Sequence, residues 1–148
     1  MSTTGLDVFD KTLQTTNIWL DEVMAEFGPS RSIAWHILTT VLHALRDRLP
    51  TELVAHFGAQ LPLLVRGGYY DQWRPGPADH PRTFEAFVAD IEKGMSSTRP
   101  INTVNAAHTV FRILSRHVTA GQITKVQDAL PDAIRQQWVG AAKTAAQV

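Results

Sequence analysis

The stretch that decides the fold is Ala59–Trp73, with the sequence AQLPLLVRGGYYDQW. It joins an apolar helical run to a Gly-Gly pair, two tyrosines and a tryptophan. A shortened version, ALPDAIRQQW, follows at Ala129–Trp138. Because the Leu-Pro step and the arginine behind it occur in both stretches, they predict an internal duplication.

The rest of the chain supports this prediction when its second half is shifted by 69 residues onto the first. Trp73 then reaches Trp138 once four residues around the Gly-Gly pair are removed. No segment alternates between apolar and polar residues as a strand would, so we predict an all-α fold. Its expected form is two tandem, pseudo-equivalent helical-bundle repeats packed into one compact domain. The identical pairs are Val41/Val110, Leu45/Leu114, Leu61/Leu130, Pro62/Pro131 and Arg66/Arg135.

Proline and glycine set the predicted boundaries. We expect a first repeat over residues 6–73, a Pro/Gly-rich linker over 74–82, a second repeat over 83–138 and a C-terminal tail over 139–148 that frays.

Within the repeats, local signals predict where individual helices begin and end. Ser30 is expected to cap a helix over Arg31–Arg48, and Thr119 with Gln122 forms a capping box. A helix that begins at Pro62 is expected to end or bend at Gly67-Gly68. The buried stripe predicted for the first helix is Phe9, Leu13, Leu20, Val23, Met24 and Phe27.

Composition restricts the functional classes. The 148 residues include 14 basic and 14 acidic side chains, and a neutral chain disfavours nucleic acid as a partner. The absence of cysteine excludes disulfides and thiolate chemistry. No apolar run reaches the length of a membrane helix and no signal peptide precedes the first helix, so a cytoplasmic protein is expected.

The segments Val41–Pro50, Ala59–Pro62 and Arg66–Trp73, with the sequences VLHALRDRLP, AQLP and RGGYYDQW, resemble a known bacterial family. This is the domain-of-unknown-function family numbered 2267, and the resemblance extends from about Phe9 to Trp138. It implies a small helical bacterial protein without an assigned catalytic residue, ligand or cofactor.

The residues that do not recur mark the candidate binding site. Tyr69, Tyr70 and Arg74 have no counterpart in the second repeat, and aromatic residues with arginine are typical of protein-binding surfaces. We therefore predict an interaction patch formed by Tyr69, Tyr70, Arg66 and Arg74. The alternative is that the tyrosines close the bundle and that Arg66 ties its short helix to it by bonding free carbonyl groups.

Catalytic and metal sites are not predicted. The six histidines lack the i, i+3 or i, i+4 spacing of a helical metal pair, and the closest two, His36 and His43, are seven residues apart. No phosphate loop or nucleophile motif is present, so we assign no catalytic residue, metal or cofactor.

Three functional hypotheses remain. The leading one is a non-enzymatic protein-interaction module, with a partner protein or a second copy bound at the patch. A second is nucleic-acid binding through arginines at the helix ends, namely Arg46, Arg48, Arg66 and Arg74. A third is a small-ligand or enzyme site in the cleft between the repeats, lined by Arg66 and His43.

Overall fold

Helices form all the regular secondary structure in residues 3–76 and 80–146, which are the residues that the structure describes. This computed structural model contains eight α-helices there and no strand, which confirms the all-α prediction. None of these helices, over the described residues, is long and apolar enough to cross a membrane. The helices are α1 Asp7–Phe27, α2 Arg31–Arg46, α3 Thr51–Gly58, α4 Leu63–Tyr70, α5 Phe84–Gly94, α6 Thr103–His117, α7 Ala120–Ala129 and α8 Asp132–Ala146.

Polar side chains cap several helix starts. Ser30, Thr83 and Asn102 each accept a hydrogen bond from the backbone N–H three residues later, at 2.9–3.1 Å. Each bond satisfies one of the N–H groups that a helix start leaves without a partner. The capping box predicted at Thr119 is wrong, because the Thr119 side chain makes no capping bond and the Gln122 amide nitrogen is buried without a partner.

Some predicted boundaries also change. The second helix ends at Arg46 rather than Arg48, where the last turn tightens and the Arg48 N–H bonds to the Leu45 carbonyl. The predicted C-terminal tail is helical through Ala146, while 147–148 lie outside the described residues. The predicted linker over 74–82 is not helical at 74–76 and 80–82. Residues 77–79 of this prediction lie outside the described residues.

The Gly-Gly pair does not end α4, which continues to Tyr70. Gly68 instead faces α2, where a Cβ atom would lie 2.8 Å from both the Thr39 methyl group and the Trp35 ring. That separation is shorter than carbon atoms in contact allow. Glycine is therefore required for the close approach of α4 to α2.

The core surrounds α2 and α6, which pack against each other and against α1 and α5. Leu42, Leu45, Phe111 and Leu114 on these two helices have no exposed surface. Trp138 of α8 stacks on Phe111 with their ring centroids 4.7 Å apart. The central pair therefore joins the two halves of the chain into one hydrophobic core.

The N-terminal turns of α1 differ from the prediction. Phe9 and Leu13, expected in the core, are 47% and 41% exposed. The buried face of α1 consists of Thr12, Thr16, Trp19, Leu20 and Val23. Periodicity predicts which face of a helix is apolar, but it does not show how far along the helix a neighbour covers that face.

Tyr69 and Trp138 occupy the same position in two helices. Each lies six residues after the first residue of its helix, Leu63 in α4 and Asp132 in α8, and neither has exposed surface. Trp73 lies beyond the end of α4 and is only partly buried. By helix register, Tyr69 matches Trp138 without any deletion, whereas the predicted pairing of Trp73 with Trp138 needs four residues to be removed.

Candidate functional site

The predicted patch is divided between core and surface. Tyr69 has no exposed surface, donates a hydrogen bond from its hydroxyl to the Val54 carbonyl at 2.9 Å and packs edge-on against Phe57. Burial, with a smaller effect from Tyr70, raises the pKa of the Tyr69 hydroxyl far above its ordinary value. Tyr69 therefore closes the bundle and cannot itself contact a partner, which corrects its assignment to the patch.

Tyr70 and Arg74 lie nearer to solvent. Tyr70 is partly buried between Tyr69 and Trp73, with ring centroids 5.0 and 5.6 Å away. Arg74 is exposed just beyond α4. These two side chains can contact a partner, and their role in binding stays a prediction.

Arg66 ties α4 to the end of α3. Its guanidinium donates hydrogen bonds to the carbonyl oxygens of Gly58, Ala59 and Leu61 at 2.9–3.2 Å. These carbonyls belong to a helix end and the turn after it, where backbone acceptors lack helical partners. The bonds use Nε and Nη2, and the two N–H groups on Nη1 have no acceptor among the described residues.

The other two arginines of the nucleic-acid hypothesis are buried. Arg46 donates to the carbonyl oxygens of Tyr69 and Asp71 at 2.7 and 2.9 Å. Arg48 donates to Asp90 at 2.8 Å, and its guanidinium lies over the Phe87 ring. Both side chains are bound inside the fold, so they are not available to phosphate groups.

Four of the six histidines, His36, His43, His108 and His117, form hydrogen bonds to neighbouring elements. His36 bonds to the Gly94 carbonyl at 2.6 Å and His43 to the Gly68 carbonyl at 2.7 Å. No group of three or more potential metal ligands is found within the described ranges. His43 and Arg66 line different concavities, so the predicted ligand site between the repeats does not bring these two residues together.

Arg66 lines a concavity to which His43 does not belong. This concavity lies between the N-terminal half of α1 and the α3–α4 corner, has a volume of about 380 Å³ and is called here the α1–α4 cleft. The Leu64 N–H donates to the Thr12 hydroxyl at 3.1 Å, which fixes the start of α4 against α1. The lining residues are Val8, Lys11, Thr12, Thr15, Trp19, Gln60, Leu61, Pro62, Leu63, Arg66 and His117.

The ionisable residues that line the cleft are basic, and no carboxylate is among them. Lys11 is exposed and makes no ion pair within the described part of the chain. His117 stacks on Trp19 with centroids 5.3 Å apart and bonds to Glu22, which lies outside the cleft. The cleft therefore combines an apolar floor with positive charge from Lys11 and Arg66.

Exposed apolar side chains are concentrated on the two helix starts beside the cleft, and two of them, Val8 and Leu63, line it. Among the residues that the structure describes, eight large apolar side chains are exposed, and six of them lie at the start of α1 or the start of α4. We call these six the apolar rim. They are Leu6, Val8, Phe9, Leu13, Leu63 and Leu64.

The sequence contained part of this site. Arg66 and the Leu61-Pro62 step were singled out, but α1 was expected to be buried and His117 was not connected with Trp19. The Leu6, Phe9, Leu13 spacing was visible as an apolar stripe. What the spacing could not indicate is that Phe9 and Leu13 stay 47% and 41% exposed at this end of α1.

The helical fold and its open cleft define a small all-α domain with an apolar, positively charged groove. The chain belongs to the family described as an uncharacterized conserved protein (DUF2267), which it matches over residues 16–137. This confirms the resemblance inferred from the sequence. The match begins inside α1, so Val8, Lys11, Thr12 and Thr15 of the cleft precede the matched region. No curated protein matches this chain.

Proposed function

We propose that the protein is a non-enzymatic, two-repeat helical module that binds another protein through the α1–α4 cleft and the apolar rim. The single observation that carries the proposal is the concentration of exposed apolar side chains on the starts of the two helices that form one charged cleft. Large exposed apolar patches on a folded domain are typical of interaction sites.

The proposed repeats are residues 6–73 and 83–138, joined by the linker at 74–82. Helix positions support this division, because α3 and α7 begin 69 residues apart and so do α4 and α8. Burial at equivalent positions supports it as well. Fully or almost fully buried pairs at this spacing include Val41/Val110, Leu42/Phe111, Leu61/Leu130, Val65/Ile134 and Tyr69/Trp138.

The helix contacts are also consistent with a pseudo-two-fold arrangement. A two-fold axis would exchange each helix of the first half with its counterpart in the second, namely α1 with α5, α2 with α6, α3 with α7 and α4 with α8. The α2–α5 contact then becomes the α1–α6 contact. The α2–α6 and α3–α7 contacts are unchanged by the exchange. A duplicated scaffold of this kind leaves function to the features that differ between the halves.

The α1–α4 cleft is such a feature. α1 has 21 residues and α5 has 11, so the turns of α1 that line the cleft have no counterpart in α5. The outer face of α4 continues the surface from Leu63 through Arg66 to Tyr70, at the i, i+3, i+7 spacing of one helix face. The proposed binding surface retains Arg66, Tyr70 and Arg74 of the predicted patch and replaces Tyr69 by the apolar rim.

The proposal is tested by site-specific photo-cross-linking in the native host. Benzoylphenylalanine replaces Phe9 or Leu63 in the apolar rim, and the matched control carries it at Val104, an exposed apolar residue on α6. We expect the same cross-linked protein from both rim positions and none from Val104. Equal cross-linking from all three positions, or none at the rim, would overturn the proposal.

Cytoplasmic location and bacterial origin remain predictions from the sequence. The nucleic-acid hypothesis retains only Arg66 and Arg74 as accessible arginines, and no observation favours it over protein binding.

A further inference from the structure

We infer that the α1–α4 cleft binds a peptide segment in which a carboxylate side chain stands beside bulky apolar side chains. This rests on the proposed function and names the chemistry of the partner. The argument uses the charges of the lining, the apolar walls and the difference from the equivalent place in the second half.

The first observation is charge. Lys11 and Arg66 both line the cleft, and its lining contains no carboxylate. The Arg66 guanidinium is already held in place by three carbonyl oxygens, yet both N–H groups on Nη1 lack an acceptor among the described residues. A fixed guanidinium loses little side-chain entropy when it binds a carboxylate, which makes it a favourable anchor for an acidic partner.

The second observation is the shape of the apolar walls. Leu61 is buried at the floor, while Val8 and Leu63 at the edges are about half exposed. A free fatty acid needs a site that covers most of its surface. The open edges here suit a chain that covers its other side itself, as the apolar face of a bound peptide helix does.

The third observation is the counterpart of the cleft in the second half. Asp132 begins α8 where Leu63 begins α4, and Arg135 donates to that aspartate at 2.7 Å. The positive charge is therefore neutralised within the protein at that place, and the apolar edge is missing. In the first half the arginine lies beside an apolar residue, which leaves its charge available.

The test begins with a random peptide library displayed on phage and selected on the full chain at low salt. We expect enrichment of sequences that combine Asp or Glu with neighbouring Leu, Ile or Phe. One enriched peptide is then synthesised and titrated into isotope-labelled protein, with backbone amide shifts as the readout. Shifts are expected at the amides of Val8, Thr12, Leu61 and Leu63.

Charge reversal tests the role of Lys11. The Lys11→Glu variant is expected to weaken binding about tenfold, since an attraction at the interface becomes a repulsion. A peptide with its acidic residue changed to lysine should recover affinity for that variant. Lys125→Glu, an exposed lysine on α7, is the matched control and should leave binding unchanged.

Several results would overturn the inference. These are enrichment of peptides without acidic residues, equal affinity of Lys11→Glu and wild type, or amide shifts away from the cleft. A further such result is that the enriched peptides are not acidic and that sodium dodecanoate displaces them with shifts at the same amides. That result would favour a fatty acid as the ligand. A failed peptide selection beside successful cross-linking from Phe9 and Leu63 would overturn this inference alone and leave the proposed function standing.

Discussion

Arg66 and Arg135 lie three residues after the first residue of α4 and α8, respectively, but they bond to different groups. Arg66 donates to three carbonyl oxygens around the end of α3. Arg135 donates to Asp132 on its own helix, and its side chain is 40% exposed. The same residue therefore links two helices in one half and makes only a local surface pair in the other.

The contacts between the halves show a second difference of this kind. Arg48 of the first half bonds to Asp90 and lies over Phe87 of α5. His117 of the second half bonds to Glu22 and stacks on Trp19 of α1. Both contacts join a basic side chain, a carboxylate and an aromatic ring. One contact relies on a permanently charged group and the other on a group that titrates.

The largest expected effect concerns the match between Tyr69 and Trp138. Changing either residue to alanine removes a large ring from the core and leaves a cavity, so each variant should lose about 3–5 kcal/mol of unfolding free energy. Trp73→Ala should lose about 1 kcal/mol, since its ring is only partly buried. Urea denaturation followed by circular dichroism measures all three. A loss for Trp73→Ala as large as that for Trp138→Ala, with Tyr69→Ala near zero, would restore Trp73 as the counterpart of Trp138.

Much of the fold could be predicted from proline, glycine and apolar spacing. The Leu-Pro step before α4 predicted that helix start, because proline fixes the backbone there and local geometry does not depend on distant contacts. The burial of Tyr69 was open, since two adjacent tyrosines project from different sides of a helix. The i, i+4 spacing of Val65 with Tyr69 and of Ile134 with Trp138 was the signal that could have decided it.

A smaller effect is expected at the two charged contacts between the halves. Asp90→Asn leaves Arg48, whose side chain is 2% exposed, without its anionic partner and should cost about 2 kcal/mol. We expect less than about 1 kcal/mol for Glu22→Gln, because the side chains of its partners Arg116 and His117 are 54% and 26% exposed and can be solvated by water. Asp132→Asn, at a side chain that is 80% exposed, serves as the control. Equal losses at Asp90 and Glu22 would show that the two contacts are energetically equivalent.

The cleft was less predictable than the core. It depends on the distance between α1 and the α3–α4 corner, and on the fact that α5 is about half as long as α1. The apolar stripe that continues through Phe9 and Leu13 indicates burial if a neighbouring helix covers it and binding if none does. Only the tertiary structure separates these two cases.

The arginine pair gives the next prediction. Arg66→Ala should cost about 1–2 kcal/mol, because three backbone acceptors lose a charged donor. Arg135→Ala should change the unfolding free energy by at most about 0.5 kcal/mol, as expected for a surface pair within one helix. Chemical denaturation of both variants at the same pH measures the difference. Equal losses would mean that the carbonyl contacts of Arg66 add nothing beyond those of an exposed ion pair.

The smallest expected effect is a pH dependence at His43, whose equivalent position in the second half is not a histidine. Burial is the main cause that lowers the pKa of His43 below its ordinary value of 6.5, and Arg46 adds to it against the opposing bond to the Gly68 carbonyl. The unfolded chain therefore binds more protons, so the contribution of His43 to stability is present above pH 6.5 and decreases as the pH falls below that value. The position 69 residues further on holds an arginine, Arg112, instead of a histidine. His43→Gln should reduce the slope of unfolding free energy between about pH 7 and 5, whereas the exposed His56→Gln should leave it unchanged. If both variants keep the wild-type slope in urea titrations, the hydrogen-bonded imidazole of His43 is not the group that makes the contact between α2 and α4 sensitive to acid.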